Sequence, residues 1–191
     1  MLTPSRQARP DESLGFPSAL RASVRAAVAV VAQDELAPPH GAFDVDVDGA
    51  TLHIPYRLYY DPARLLRALE DARGVDRRIV ACLGTRHYDG YVRQACLAQI
   101  LDSDEPWLLP YIVQLASEYV IEIVEDVARW IGTRDASSLA SFARANPAWL
   151  ATLARRVTSY WNCYHRPAFP DRADYPGARV LSRFRSDATR R

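Results

Sequence analysis

The sequence contains no lysine, and all 24 residues counted as lysine or arginine are arginine. Three classes of enzyme need a lysine side chain. Schiff-base enzymes use its amine, P-loop NTPases use the lysine after the glycine-rich loop, and protein kinases use the lysine of a strand. The sequence therefore excludes these three classes. The arginine bias itself is typical of a GC-rich genome.

Glycine and cysteine are also scarce. The eight glycines form no phosphate-binding loop, and neither G-x-S-x-G nor H-E-x-x-H occurs. The three cysteines, Cys82, Cys96 and Cys163, are an odd number with no C-x-x-C spacing. This pattern indicates free thiols in a reducing compartment rather than disulfides or a zinc site. We expect no metal and no cofactor.

Long apolar runs are missing too. The longest apolar stretch, 107–131, is interrupted by four acidic residues, which excludes a membrane span. Residues 1–16 lack the apolar segment of a signal peptide. We therefore expect a cytoplasmic protein with no membrane partner.

The domain organisation follows from length and charge. A chain of 191 residues with 49% hydrophobic residues suits one globular domain. We expect a flexible lead-in over 1–16, a single helical domain over 17–166 and a basic tail rich in proline and arginine over 167–191. The net charge is +1, yet residues 166–191 contain seven arginines and three aspartates. Such a tail either binds an acidic partner or folds back on the acidic body.

Apolar residues at helical spacing dominate the pattern, which predicts a mostly α fold. Proline, glycine and the predicted helix caps Asp61, Asp89 and Asn146 divide the chain into segments. The predicted helices cover about 17–36, 61–74, 75–86, 89–100, 110–131, 136–145 and 146–164, and a short helix near Val180 and Leu181 is possible.

One segment has strand periodicity instead. Phe43, Val45 and Val47 alternate with aspartates, Asp48-Gly49 is typical of a tight turn, and apolar residues alternate again on the return. We predict a small β-hairpin near residues 43–56 with its apolar face packed on helices. The aspartates also suggest a cation site, but the glycine and distal glutamate of an EF-hand loop are missing. A solvated strand face is the interpretation we favour.

Residues 87–131 resemble a HEAT-type helical pair. Asp89, Val92 and Arg93 match the D-x-x-V-R signature of that family, and Cys96 stands where a small residue is usual. The resemblance implies a multi-helix orthogonal, HEAT-like bundle in which the aspartate and arginine link successive helical layers. At most one and a half repeats are visible, so it implies a mode of packing rather than a solenoid.

Three further segments are RHYDGYVRQ at 86–94, W-x-x-P-Y-x-V-Q-L-x-x-E-Y-V-x-E-I at 107–123 and SYWNCY at 159–164. With them, the chain resembles a family of proteins of unknown activity from high-GC bacteria over about 43–181. That resemblance implies a stand-alone cytoplasmic protein and no particular activity.

The first candidate site is a polar cluster at the start of the helix predicted over 89–100, formed by Arg86, His87, Asp89 and Arg93. Arginines beside the free N–H groups of a helix N-terminus can hold a phosphate or carboxylate. His87 could transfer a proton. The structural interpretation is that Asp89 caps the helix, Arg93 links layers and His87 lies at the boundary. We favour it because caps and links are the commoner roles.

The second candidate is an acidic face of the predicted long helix, which also has an apolar stripe that includes Tyr119. Gln114, Glu118, Glu122 and Glu125 recur at intervals of four, four and three residues, which predicts one shared face. Paired carboxylates can serve acid–base chemistry or bind a metal, but no Glu-x-x-His of a di-iron site occurs. The structural interpretation is pairing with arginines of neighbouring helices, and a buried glutamate must be paired.

The third candidate is aromatic: Tyr160, Trp161, Tyr164 and His165, followed by Arg166. Aromatic residues with arginine can stack on bases or anchor an interface. The apolar spacing of Trp161 and Tyr164 favours core packing instead. Cys163 and His165 are two residues apart on a helix, which disfavours a Cys–His nucleophile pair.

The absence of catalytic motifs favours a non-catalytic helical interaction protein, an adaptor or an antitoxin-like protein, that binds a partner protein. The expected binding residues are Arg86, His87, Asp89, Arg93, Glu118, Glu122, Trp161 and His165.

The alternative is an enzyme, a hydrolase or transferase, that acts on an anionic small molecule. Its residues would be Arg86 and Arg93 for the anion, His87 or Glu118 as acid or base, and Glu122 to orient that group. A third hypothesis is a nucleic-acid binder that uses the basic tail and the aromatic residues. The acidic body and the net charge of +1 disfavour nucleic acid.

Overall fold

The computed structural model describes residues 11–33 and 35–185. In this part of the chain helices dominate, and one antiparallel hairpin accompanies them, so the mostly α class with a small hairpin is confirmed. The helices are α1 Arg21–Val31, α2 Pro62–Asp71, α3 Gly74–Gly84, α4 Gly90–Leu97, α5 Leu109–Gln114, α6 Ile121–Gly132, α7 Ala136–Ala145, α8 Pro147–Tyr160 and α9 Pro176–Arg183. The strands are β1 Ala37–Val47 and β2 Ala50–Tyr59. None of these helices has the length and apolar character needed to cross a bilayer.

Aspartate side chains begin three of the helices. Asp61 accepts a hydrogen bond from the Arg64 amide at 2.8 Å, and Asp89 accepts one from the Tyr91 amide at 2.8 Å. Asp135 does the same for α7. Each carboxylate satisfies an amide that has no partner inside its helix, so the caps predicted at Asp61 and Asp89 are confirmed.

The hairpin is longer than the predicted 43–56 but has the predicted turn. Asp48 and Gly49 have φ angles of 50° and 79°, which is the combination a type I′ turn requires. Val45 lies opposite Leu52, and both are buried. The apolar face therefore packs on the helices, as expected.

The sequence predicts that Asn146 caps α8, but its side chain joins the hairpin to the helices instead. Its Oδ1 accepts a hydrogen bond from the Asp46 amide at 2.7 Å, and its Nδ2 donates to the Asp46 carbonyl at 2.8 Å. The side chain thus serves both backbone groups of one residue at the edge of β1. Trp149 of α8 lies on the same side, with its ring 6.2 Å from that of Phe43.

The helix predicted over 110–131 is interrupted, so that prediction is wrong. A 3-10 turn at Leu115–Ser117 follows α5, and α6 begins only at Ile121. Glu118 has an extended backbone with φ −108° and ψ 160°, and the Ser117 hydroxyl donates to the Gln114 carbonyl at 3.0 Å. The interruption points the Glu118 side chain at a buried arginine, as the next subsection shows.

Both ends of the described chain pack on the body. Residues 12–15 form a 3-10 turn, and the buried Phe16 ring lies 5.2 Å from the Tyr111 ring, whereas 11–16 was expected to belong to a flexible lead-in. In α9, Val180 and Leu181 are buried, which confirms the suggested short helix. All nine helices and both strands found in the described residues contribute to one hydrophobic core. The predicted lead-in over 1–10 and the last part of the predicted tail, 186–191, lie outside the described residues.

Candidate functional site

His87 is fully buried in the loop between α3 and α4. Its Nε2 lies 2.9 Å from the Tyr60 carbonyl oxygen, and its Nδ1 accepts a hydrogen bond from the Asp89 amide at 3.1 Å. This pair of bonds requires the neutral ring with its proton on Nε2. Burial lowers the pKa of His87 from its usual value of 6.5, which also favours the neutral ring. Both nitrogens serve the backbone, and this favours a structural role.

The loop that carries His87 is also joined to the end of β2. The Leu58 amide donates to the Arg86 carbonyl at 2.9 Å, and the Tyr88 amide donates to the Leu58 carbonyl at 3.0 Å. The bridge between Leu58 and His87 is parallel. The hairpin therefore holds the loop from which α4 begins.

Arg93 and Glu118 form a buried ion pair. The Arg93 Nη2 lies 2.9 Å from the Glu118 Oε2, and the two side chains are 1% and 7% exposed. Arg93 Nη1 also donates to the carbonyls of His87 and Tyr88, each at 2.8 Å. These bonds tie α4, the His87 loop and the interruption before α6 together. Arg93 therefore links separate segments, which is the structural role expected for it. Because the pair is desolvated, either charge alone would be costly.

Two further arginines lie close to this pair. Arg57 Nη1 is 3.5 Å from the Glu118 Oε1 and 3.2 Å from the His87 carbonyl oxygen. Arg86 is buried, and its guanidinium donates to the Thr85 hydroxyl and the Tyr111 carbonyl, each at 3.3 Å. Burial lowers the pKa of Arg86 to about 9, and the Glu118 carboxylate is the charge that most opposes this shift.

The predicted acidic face is not formed, because the interruption rotates its members apart. Gln114 is buried, and its Oε1 accepts a hydrogen bond from the Trp149 Nε1 at 3.0 Å. Glu118 is buried against Arg93, whereas Glu122 and Glu125 are exposed on α6. The structure therefore brings Arg86, His87, Asp89, Arg93 and Glu118 together and leaves Glu122 outside that group.

The aromatic candidates lie where α8 ends. Trp161–His165 form a turn of π-helix, and the Trp161 Nε1 donates to the Phe169 carbonyl at 2.9 Å. His165 is buried, and its ring stacks on that of Tyr175 with centroids 5.2 Å apart. Burial lowers the pKa of His165, while the Glu118 carbonyl opposes the shift. Cys163 is exposed, so it and His165 point in different directions, as expected.

Four exposed tyrosines lie on the His87 loop, α4, the interruption before α6 and the turn after α8, and the sequence did not predict them as a group. They form what we call the tyrosine surface: Tyr88, Tyr91, Tyr119 and Tyr164, with 39%, 87%, 52% and 62% exposure. The Tyr119 and Tyr164 rings are 6.4 Å apart, and the Arg93 guanidinium lies 5.9 Å from the Tyr119 centroid. A Cβ placed on Gly90 would lie 3.7 Å from the Tyr119 hydroxyl, so the start of α4 borders the same surface.

Tyr119 and Tyr164 were expected in the core because of their helical spacing. The interruption before α6 and the π-helical turn after α8 change the direction of both side chains. One signal was present in the sequence. Tyr88 and Tyr91 flank the cap Asp89, and side chains at the beginning of a helix often face solvent.

Chemically, the buried network offers little to a small anion. Arg93 directs Nη1 and Nη2 at protein oxygens and leaves only its buried Nε without a partner among the described residues. Arg86 directs Nε and Nη2 at protein oxygens, and the His87 nitrogens are both bonded. Two cavities among the described residues, one beside α7 and one at the Asn146 edge of the hairpin, are lined by other residues. In the described residues no group of three or more histidine, cysteine, aspartate or glutamate side chains is placed to hold a metal ion.

Comparisons of the chain with family models, with curated proteins and with solved structures find no match.

Proposed function

We propose that this protein is a non-catalytic interaction protein, an adaptor or an antitoxin-like protein, that binds a partner protein through the tyrosine surface. The observation that supports the proposal is the exposure of these rings, 87% for Tyr91 and 62% for Tyr164, together with the Tyr119 ring that lies 6.4 Å from the Tyr164 ring and 5.9 Å from the Arg93 guanidinium. Tyrosine provides a large apolar contact area with a polar tip, and it is enriched at protein interfaces.

The base of this surface is well suited to present it rigidly. Arg93 ties the start of α4 to the segment that carries Tyr119, so little conformational freedom has to be lost on binding. The HEAT-like pairing of α4 with the helices that follow is part of the same proposal, and the position of Arg93 as a link supports it. A reducing, cytoplasmic compartment is also part of the proposal, and the free thiols of Cys82 and Cys96 support it.

The test is affinity capture with the full chain from an extract of the cells that carry the gene. The test variant combines Tyr91→Ser with Tyr164→Ser, which removes exposed rings without touching the buried pair. The control combines Val30→Ser with Leu36→Ser, which removes apolar side chains of 49% and 61% exposure elsewhere on the molecule.

We expect the wild type and the control to retain one stoichiometric partner that the tyrosine variant loses. The absence of any stoichiometric partner, or equal capture by all three proteins, would contradict the proposal. Circular dichroism of each variant checks that the fold is intact.

A further inference from the structure

A cleft of about 850 Å³ lies on another part of the molecule, between the tip of the hairpin, the loop before α5, the end of α6 and α7. Its volume falls in the range of small-ligand sites, about 300–1,000 Å³, so it can accept a few side chains but not a whole helix. None of the tyrosines of the tyrosine surface lines it. It is therefore a separate feature whose function can be tested independently.

The apolar lining of the cleft comes from four segments of the chain: Val47, Leu109, Trp130, Leu139 and Phe142. Trp130 is 93% buried, as its exposure of 7% implies, and its indole Nε1 has no hydrogen-bond partner among the described residues. Its ring forms part of the wall of the cleft, so its indole signal can report on an occupant.

The rim of the cleft is acidic. Five carboxylates line it against a single guanidinium, that of Arg134; they are Asp46, Asp48, Asp104, Glu105 and Asp135. Asp104 is paired with Arg134, and Glu105 is paired with Arg78 at 2.7 Å. The other three form no ion pair with an arginine of the described residues, and all three are exposed. The rim therefore complements a cation.

The cleft already holds one arginine of its own chain. The Arg134 guanidinium lies 4.6 Å from the Trp130 ring centroid and is hydrogen-bonded to the Asp104 carboxylate. Stacking on an aromatic face together with a carboxylate partner is the arrangement that suits a guanidinium. The same wall thus shows that a guanidinium is the cation that the carboxylates beside it, which lack an ion pair, can recognise.

We propose that the cleft binds a short arginine-bearing segment of a partner protein. An apolar side chain of the segment lies against Leu139 and Phe142, and its guanidinium meets the carboxylates of Asp48 and Asp135. Apolar contact provides the affinity and the acidic rim provides the selection for arginine.

The probe is a fluorescein-labelled peptide of alternating leucine and arginine with blocked ends, added to the full chain labelled with ¹⁵N. The readout is the indole Nε1–H signal of Trp130, identified by its loss in the Trp130→Phe variant. We expect this signal to shift on titration, while that of Trp161, which is bonded to Phe169, does not.

The test variant combines Asp48→Asn with Asp135→Asn. Asparagine tolerates the positive φ of residue 48 and is a good helix cap at 135, so the charge changes while the backbone preferences are kept. The control combines Asp76→Asn with Asp171→Asn, exposed residues outside the cleft. Fluorescence anisotropy should show about three- to tenfold weaker binding for the test variant and unchanged binding for the control.

Four results would overturn the proposal. They are an unmoved Trp130 signal, equal loss of affinity in both double variants, equal affinity for a peptide with glutamate in place of arginine, and equal affinity for one with alanine in place of leucine. A dimer of the full chain in sedimentation equilibrium that the test variant abolishes would overturn it too, because it would assign the cleft to a second copy.

Discussion

Glu118 lies where the loss of one side chain has the largest expected effect. Its carboxylate is the partner of Arg93, which is 1% exposed, and it is the charge that most opposes the lowered pKa of buried Arg86. Glu118→Gln keeps the shape and removes the charge, so Arg93 stays buried and unpaired. We expect the free energy of unfolding, measured by urea denaturation, to fall by about 3–5 kcal/mol.

Glu122→Gln is the matched control, because Glu122 is exposed on α6. We expect it to change the free energy of unfolding by less than about 0.5 kcal/mol. Similar values for the two variants would show that the buried ion pair does not stabilise the fold.

Two buried tyrosines differ in whether their hydroxyl has a partner. The Tyr111 hydroxyl donates to the Gly15 carbonyl at 2.8 Å, whereas the Tyr175 hydroxyl has no partner among the described residues. We expect Tyr111→Phe to lower the free energy of unfolding by about 0.5–1.5 kcal/mol, and Tyr175→Phe to leave it unchanged or raise it. Urea denaturation at pH 7 checks both, and a larger loss for Tyr175→Phe would contradict the hydrogen-bond assignment.

Tyr175 also predicts a dependence on alkaline pH. Burial raises its pKa from 10 to about 12, so between these values the folded state keeps a proton that the unfolded chain has lost. Its contribution to stability is complete below pH 10 and is lost as the pH rises towards 12. The stability of Tyr175→Phe should therefore fall less steeply across this window than that of the wild type.

At the scale of the element, the hairpin turn needs glycine at position 49 for its backbone conformation and not because a side chain would lack room there. A Cβ on Gly49 or on Gly132 would meet no atom within 4 Å, but only Gly49 has a positive φ, 79°. We expect Gly49→Ala to destabilise the protein by about 1–2 kcal/mol. Gly132→Ala, at the end of α6, should be neutral or stabilising by up to about 1 kcal/mol.

Thermal unfolding of both glycine variants checks this pair of expectations. If Gly49→Ala melts at the wild-type temperature, the turn does not need its left-handed conformation. A large loss at Gly132 would point to packing that the structure does not contain.

At the scale of the whole molecule, the end of the described chain belongs to the core. In α9, Val180 is fully buried, whereas its neighbour Arg179 is exposed. Val180→Ala should lower the free energy of unfolding by about 1–3 kcal/mol, and Arg179→Ala should change it by less than about 0.5 kcal/mol. Hydrogen exchange offers a further check, because α9 amides that open far below the global free energy of unfolding would show an independent tail.

Features that depend on neighbours along the chain were determined by the sequence alone. The caps at Asp61 and Asp89 and the turn at Asp48-Gly49 use interactions among residues close in the sequence. They can therefore be predicted from the sequence without knowledge of the fold. The same is true of the helical class, because apolar spacing follows the geometry of a single helix. The cluster of Arg86, His87, Asp89 and Arg93 was likewise visible as a group.

Only the tertiary structure decided the interruption over 115–120, the exposure of Tyr119 and Tyr164, and the cleft beside α7. Helical spacing favoured a continuous helix, but the extended backbone at Glu118 places its carboxylate 2.9 Å from the buried Arg93 guanidinium, which would be costly without a counter-charge. That pairing joins residues 25 positions apart, Arg93 and Glu118, and no local pattern records it. The cleft likewise exists only where the hairpin tip, α6 and α7 meet.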